Sequence, residues 1–127
     1  MPTLDSTIVD FVVGDNVEVR RTITNVQVGD PLVKAWLTIK SRASDADVDA
    51  VKQLVIDSTN QAQGQITDDG ADGTGEVAFK LAAADTALLI GGKPYYFDIQ
   101  VKTQAGSLYT PELGTITGRS QVTLATG

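Results

Sequence analysis

Hydrophobic and polar residues alternate along most of the chain, and the alternation is clearest in its second half. In the segment PYYFDIQVKT (residues 94–103), every second residue after the proline is apolar: Tyr95, Phe97, Ile99 and Val101. A period of two residues is typical of a β-strand that buries one face and exposes the other. The segments NVEVRRTIT, LVKAWLTIK and GEVAFKL alternate in the same way. The pattern therefore predicts an all-β protein.

Turn-forming residues separate these segments. The runs VGDN, VGDP, DDGADGTG, IGGKP and TQAGS combine Gly with Asp, Asn, Pro or Ser, which tight turns favour. Strands bounded by such turns predict an antiparallel β-sandwich of about seven strands. Residues 41–65 are predicted to add a short helical turn and one strand, KQLVIDST, and AAADTALL (82–89) a helical turn that crosses between the sheets. No linker or internal repeat interrupts the sequence, so residues 1–127 are predicted to form a single domain.

The apolar rows of these strands predict the core. Its members are the inward residues of the alternating segments: Val17, Val19, Val33, Leu37, Ile39, Val77, Phe79, Leu81, Phe97, Ile99 and Val101. Arg21 interrupts the apolar row of NVEVRRTIT. We expect either a β-bulge at this position or a strand end at which the guanidinium reaches water.

Composition narrows the possible chemistry. The 127 residues include no cysteine and no histidine, which removes disulfides, thiol nucleophiles, imidazole bases and structural zinc sites. The net charge of −6 argues against nucleic acid as a partner, because phosphate contacts need clustered Lys and Arg. The start, MPTLDSTIVDF, lacks a basic stretch followed by an apolar one, so we expect no signal peptide. No apolar run is long enough to predict a membrane span.

Two acidic stretches, SRASDADVDAVKQ (41–53) and TDDGADGTGE (67–76), raise the question of a calcium site. An EF-hand loop needs Gly at its sixth position and Glu at its twelfth. Counted from Asp45, these positions hold Ala50 and Ile56. Counted from Asp68, the sixth position is Gly73, but the third is Gly70 and the twelfth is Phe79. We therefore expect a capped helical turn in the first stretch and a hairpin connection in the second. A weak calcium site built from loop carboxylates is the alternative.

Other arrangements that could support catalysis are absent from the sequence pattern. Glu18, Glu76 and Glu112 are predicted at outward positions or in turns, so they do not form the facing pair of acids that glycoside hydrolysis needs. The glycine-containing turns lack the spacing of a phosphate-binding loop. We expect no enzyme activity, no catalytic residues and no cofactor.

Two aromatic residues are predicted on an outer face. In LVKAWLTIK, Trp36 falls in the polar row with Lys34, Thr38 and Lys40, and Tyr96 falls in the polar row of the later strand. If these strands are neighbours, both rings lie on one outer face, where they could anchor a partner protein or stack on a sugar. The alternative is a register one residue different, with Trp36 as a core residue of the sandwich.

The order of the segments resembles a known family. GDNVEVRRTIT, PLVKAWLTIKSRASDADVDAVKQLVIDST, GEVAFKLAAADTALL and GGKPYYFDIQVKTQAGSLYTPELGTITG follow one another as in an immunoglobulin-like domain of tailed bacteriophages. That domain occurs as the N-terminal module of baseplate upper proteins and as short stand-alone virion proteins. The resemblance runs from Val9 to Gly118. It is most specific at ADTALL, at YYFDIQV and at the turn formed by residues 104–107. The acidic stretch 68–75 and the tail after Arg119 depart from it.

The resemblance implies an immunoglobulin-like sandwich that holds virion parts together, and no catalytic residues carry over from it. It predicts a non-enzymatic virion structural protein, either a capsid decoration or cement protein or a tail-associated accessory protein, with decoration slightly favoured. The expected partners are other virion proteins of the capsid or tail, in a homo-oligomer or lattice within the virion. A carbohydrate- or cell-surface-binding module, with Trp36 and Tyr96 as a stacking pair, is the alternative.

Both ends of the chain have strand character. STIVDFVV near the start and SQVTLATG at the end could each add to the sheet edge of a neighbouring molecule. Residues 119–127 are predicted to form an extended arm or an extra strand. Besides Trp36 and Tyr96, the predicted partner-binding residues are Gln121, Val122, Thr123 and Leu124. Deleting residues 119–127 is expected to leave a folded monomer that binds particles poorly.

Overall fold

The computed structural model describes residues 4–42, 44–46 and 50–120. These residues form eight strands and one short helix. In chain order the elements are β1 (Leu4–Ile8), β2 (Val17–Ile23), β3 (Leu32–Lys40), β4 (Lys52–Asp57), β5 (Gly64–Asp69), β6 (Gly75–Leu81), α1 (Ala83–Thr86), β7 (Tyr95–Thr103) and β8 (Leu108–Ile116).

The strands form two sheets that pack face to face. The larger sheet has the order β1-β8-β7-β3-β4, and the smaller has the order β2-β6-β5. This is the strand order of an immunoglobulin-like sandwich in which the first strand has joined the larger sheet. The predicted all-β sandwich is confirmed. The pairing is antiparallel except at one edge, where β1 runs parallel to β8.

A glycine allows the close approach of β1 and β8. Gly114 lies opposite Ser6 in the parallel register. A side chain at Gly114 would overlap the carbonyl oxygen of Ser6. The parallel pairing resumes beyond both strands, because the Arg119 N–H donates to the Phe11 carbonyl at 2.9 Å and the Val13 N–H donates to the Arg119 carbonyl at 2.9 Å. The segment that follows β8 is therefore hydrogen-bonded to the segment that follows β1.

The inner rows of the two sheets form the core, as the alternation predicts. The predicted core residues that are buried are Val19, Leu37, Ile39, Val77, Phe79, Leu81, Phe97, Ile99 and Val101. Val17 is half-buried against this core. Val33 contradicts its prediction, since it is 38% exposed whereas Leu32 is only 3% exposed. A register shift between Leu32 and Lys34 in the β3–β7 pair explains the exchange of faces.

The predicted crossover at residues 82–89 is confirmed, because α1 connects β6 of the smaller sheet to β7 of the larger one. Thr86 is buried, and its hydroxyl donates to the Asp15 carbonyl at 2.7 Å and accepts from the Gly14 N–H at 2.9 Å. At the start of β7, the buried Tyr95 hydroxyl accepts from the Ile90 N–H at 3.0 Å. This contact resembles the tyrosine corner of immunoglobulin domains.

The structure describes the second acidic stretch completely and the first one only in part. The predicted hairpin at residues 68–75 is confirmed as the connection between β5 and β6, although Asp68 and Asp69 still belong to β5. The β5 strand itself is not predicted by the sequence pattern, because its glycine and aspartates resemble a turn. The predicted helical turn, capped by Ser44 with Asp45 and Asp47 in its first turn, falls partly on Asp47, which lies outside the described residues.

Candidate functional site: the outer face of the five-stranded sheet

The outer face of the three-stranded sheet carries a closed network of charges. The Arg20 Nε donates to Glu18 Oε1 at 2.7 Å, and its Nη1 bonds Glu76 Oε1. The Thr67 hydroxyl donates to the same Glu76 oxygen at 2.6 Å. The Thr67 hydroxyl and, after it, Arg20 hold the pKa of Glu76 below its usual range. Because these groups bond one another and remain hydrated, this face offers little that a partner could replace.

The outer face of the five-stranded sheet is different, because an aromatic and an aliphatic side chain lie exposed on β7 and β8. Tyr96 is 46% exposed and Leu113 is 42% exposed. Asp98 lies opposite Leu113 in the β7–β8 register, so Tyr96 and Leu113 are diagonal neighbours on one face. They border a depression of about 160 Å³ that Thr38 and Lys40 also line. An aromatic ring beside an aliphatic side chain in a shallow depression is a common centre of protein interfaces.

Trp36 lies on this same outer face, as one of the two predicted registers requires. It is half-buried, opposite Gln100 of β7 and Val55 of β4. The Lys34 ammonium lies 5.2 Å from the centroid of the indole ring, which is within cation–π range. One face of the ring is therefore already in contact with a neighbouring side chain.

The predicted aromatic pair shares a face but does not form one stacking site. Tyr96 lies opposite Lys40, four residues along β3 from Trp36. At the usual strand rise this corresponds to a separation of about 13 Å. Together with the contact between Lys34 and the indole, the spacing favours a broad protein contact over a single sugar ring held between two aromatic rings.

The border of this face beside β4 is shaped by a carboxylate that serves the backbone. Asp57 Oδ1 accepts from the Thr59 hydroxyl at 2.9 Å and from the N–H groups of Thr59 and Asn60 at 2.8 and 2.7 Å. These bonds, led by the Thr59 hydroxyl, hold the pKa of Asp57 below its usual range. Asp57 therefore orders the turn after β4.

A buried ion pair connects the two sheets, and it corrects two predictions. Arg21 Nε donates to Glu112 Oε1 at 2.8 Å and Oε2 at 3.1 Å. The Glu112 side chain is 5% exposed and the Arg21 side chain 33%. Glu112 is thus buried rather than on the predicted outer surface. Arg21 lies in regular register opposite Val77, so neither the expected bulge nor the expected strand end is present.

The sequence carries one signal for this pair, the charged Arg21 in an apolar row. An arginine in an apolar row rarely lies in a core without an acidic partner. The partner was missed because the alternation in β8 is opposite to what residue type suggests. Glu112 faces inward opposite Ile99, and the apolar Leu113 faces outward. The register of β8 against β7 decides this orientation.

Within residues 4–42, 44–46 and 50–120, no group of three or more acidic, His or Cys side chains could hold a metal ion. No helix among these residues has the length and apolar character needed to cross a membrane. Asp47 and Asp49 of the first acidic stretch lie outside them.

The remaining predicted partner-binding residues, at positions 121–124, also lie outside the described residues. The first residue of the predicted arm, however, belongs to the domain. The Arg119 N–H donates to the Phe11 carbonyl at 2.9 Å, and the Val13 N–H donates to the Arg119 carbonyl at 2.9 Å. A deletion that starts at residue 119 would therefore remove part of the sheet edge as well as the arm.

Comparison with protein-family models and with curated protein sequences found no match to this chain.

Proposed function

We propose that this protein is a non-enzymatic structural protein of a bacteriophage virion that attaches to another virion protein through the outer face of its five-stranded sheet. Capsid decoration or cementing is the role we favour within that class, and a tail-associated accessory role is the neighbouring possibility. The bacteriophage setting rests on the resemblance of the segment order, and the choice of surface rests on geometry.

The single observation that carries the choice of surface is the exposed pair formed by Tyr96 and Leu113. Tyrosine supplies a large, rigid contact area with a polar tip, and it is enriched at the centres of interfaces. The neighbouring depression is open to a side chain from a partner. On the opposite outer face, Glu18, Arg20 and Glu76 bond one another, which supports the five-stranded sheet as the attachment surface.

The charges on the five-stranded sheet also support a protein partner. Its outer rows contain Lys34, Lys40 and Lys102 together with Asp57 and Asp98, although the whole chain has a net charge of −6. This face is therefore locally less acidic than the rest of the molecule. An acidic protein surface could approach it without the repulsion it would meet elsewhere.

Binding to particles tests the proposal. The protein would be added to particles of the encoding bacteriophage that lack it, and binding measured by co-sedimentation. We expect Tyr96→Ser combined with Leu113→Ser to weaken binding about tenfold or more, as the loss of an interface centre does. Thr22→Ala combined with Lys80→Ala, two exposed residues of the opposite face, is the matched control and should bind like the unaltered protein.

Two results would contradict the proposal. One is the absence of the protein from purified virions when their proteins are identified by mass spectrometry. The other is equal loss of binding in the control and the Tyr96/Leu113 variant. Saturable binding of the isolated protein to a defined glycan, lost on Trp36→Ala, would favour the carbohydrate-binding alternative instead.

A further inference from the structure

The smaller sheet has an edge strand with one side unpaired in the described part of the chain. Because β1 joins β8 in the larger sheet, it does not cover β2. The β2 strand pairs only with β6, over seven residues and without a register shift. Alternate N–H and C=O groups along β2 therefore face away from the sheet. Such an edge can accept an additional strand.

The other long edges carry features that discourage a further strand. On β4, the Val55 N–H donates to the Gln63 side-chain carbonyl at 2.9 Å, and the Asp57 N–H donates to the Asn60 carbonyl at 3.1 Å. The β5 edge has a register shift and ends in two aspartates. Bulges, charges and local capping are the usual ways in which proteins block sheet edges. Among the described strands of six or more residues at a sheet edge, β2 lacks both a bulge and a capped N–H, and its one capped edge group is the Arg20 carbonyl, which accepts from Arg21 Nη1 at 2.9 Å.

A groove runs beside this edge, between β2 and the segment that follows β1. It has a volume of about 190 Å³. Ile8 and Phe11 line one side, and Val17 and Val19 line the other. Arg21 also lines it, and an inward charge on an edge strand normally opposes strand addition. Here Arg21 is bonded to Glu112 and to the Arg20 carbonyl, so a strand with apolar and neutral polar side chains would meet no unpaired charge in the groove.

The C-terminal segment has the composition that this groove requires. Residues 121–125, with the sequence QVTLA, carry no charge and alternate Val122 and Leu124 with polar or small residues. Valine and threonine favour strands. A charged segment would be disfavoured, because the groove is bordered by Asp10 and Glu18 as well as by Arg21.

The donor of the strand is more simply a second molecule than the same one. Arg119 is fixed between Phe11 and Val13, at the end of the sandwich from which β2 starts. To pair with its own β2, the chain would have to reverse direction directly after Ser120. Residues 120–126 contain no Gly, Pro, Asn or Asp, the residues that most favour a tight reversal. Pairing with a second molecule requires no such reversal.

We propose that residues 121–125 of one copy add as a strand to the free edge of β2 in a second copy. The pairing is head-to-tail or reciprocal, and it would link copies into a closed oligomer or a chain. It goes beyond the attachment proposed above and does not depend on it, because it uses a different surface and a different partner.

Sedimentation of the full chain and of a chain ending at Ser120 tests this pairing. We expect the full chain to self-associate as its concentration rises, and the shortened chain to remain a folded monomer. The full chain with Val122→Pro and Leu124→Pro, which removes two backbone donors and strand geometry, should behave like the shortened chain. Val122→Thr with Leu124→Val keeps strand character and is the matched control that should still associate.

Amide exchange and a peptide titration locate the contact. Alternate amides of β2 should exchange at least tenfold more slowly in the associated full chain than in the shortened one, while amides of β4 should not change. A synthetic peptide of residues 119–127 should perturb the resonances of β2 in the shortened chain. A full chain that stays monomeric, a shortened chain that unfolds, or protection at β4 in place of β2 would each overturn the proposal.

Discussion

The two outer faces of the sandwich differ in the kind of side chain that they expose to solvent. On the three-stranded sheet, Glu18, Arg20, Thr67 and Glu76 bond one another, and the polar groups are engaged within the molecule. On the five-stranded sheet, Tyr96 remains exposed beside an apolar neighbour. Both faces are built from strands with the same alternation, so the alternation does not distinguish them. The difference is that an aromatic and an aliphatic side chain, Tyr96 and Leu113, are exposed on one face, whereas the other face carries a network of ion pairs.

This contrast separates stability from attachment. A bonded surface network contributes modestly to folding and has few free groups to offer a partner. An exposed aromatic and aliphatic pair contributes little to folding and has its contact area available. We therefore infer that changes on the five-stranded face alter binding with little effect on stability. The largest stability effects should come from residues between the sheets.

The largest expected effect is a difference in the free energy of unfolding between substitutions at two adjacent residues of β7. Phe97 faces the core and is 4% exposed, whereas Tyr96 faces outward. Phe97→Ala should lower the free energy of unfolding by about 3–5 kcal/mol, because it opens a cavity in the core. Tyr96→Ala should cost less than about 1 kcal/mol. Chemical denaturation of both variants checks this, and equal losses would contradict the assignment of inner and outer faces.

A slightly smaller effect is expected from the ion pair between the sheets. Arg21→Met leaves the Glu112 carboxylate buried without its partner, which should cost about 3 kcal/mol. Adding Glu112→Leu should recover stability to within about 1 kcal/mol of the unaltered protein, because an apolar pair can replace a buried ion pair. Denaturant unfolding of the single and double variants measures both values. If the double variant is no more stable than Arg21→Met, the unpaired Glu112 carboxylate is not the cause of the lost stability.

The smallest effect concerns the charged face and depends on pH. The folded protein holds the pKa of Glu76 below its usual value, so ionised Glu76 stabilises the fold above its unfolded pKa of about 4.3. That contribution is lost as pH falls through the lower, folded pKa. Glu76→Gln should therefore lose less thermal stability than the unaltered protein between pH 6 and pH 3. Thermal melts across this range test it, and parallel curves would contradict it.

Much of the fold follows from the sequence because long alternating rows fix strand faces. β6 and β7 are predicted with their inner residues, β3 is predicted with all of them except at Val33, and the α1 crossover is predicted from its short apolar turn. β5 is missed because a glycine and two aspartates resemble a loop, and only pairing with β6 makes that segment a strand. The parallel position of β1 is likewise set by its partner β8, which local patterns do not encode.

The residues of the candidate site are likewise only partly predictable from the sequence. The outward positions of Trp36 and Tyr96 follow from alternation within their own strands. Leu113 is missed because an apolar residue is expected to face inward, and Glu112 is missed because an acid is expected to face outward. The pairing of β8 with β7 reverses both expectations. Side-chain type predicts orientation only where the register agrees with it.

The central claim is that the five-stranded face is covered when the protein is assembled. Lysine acetylation of the free and particle-bound protein, read by mass spectrometry, tests it directly. Lys40 and Lys102 lie on that face, and the exposed Lys80 lies on the opposite one. The account predicts that Lys40 and Lys102 become protected on binding while Lys80 stays reactive. Protection of Lys80 with Lys40 and Lys102 still reactive would contradict it.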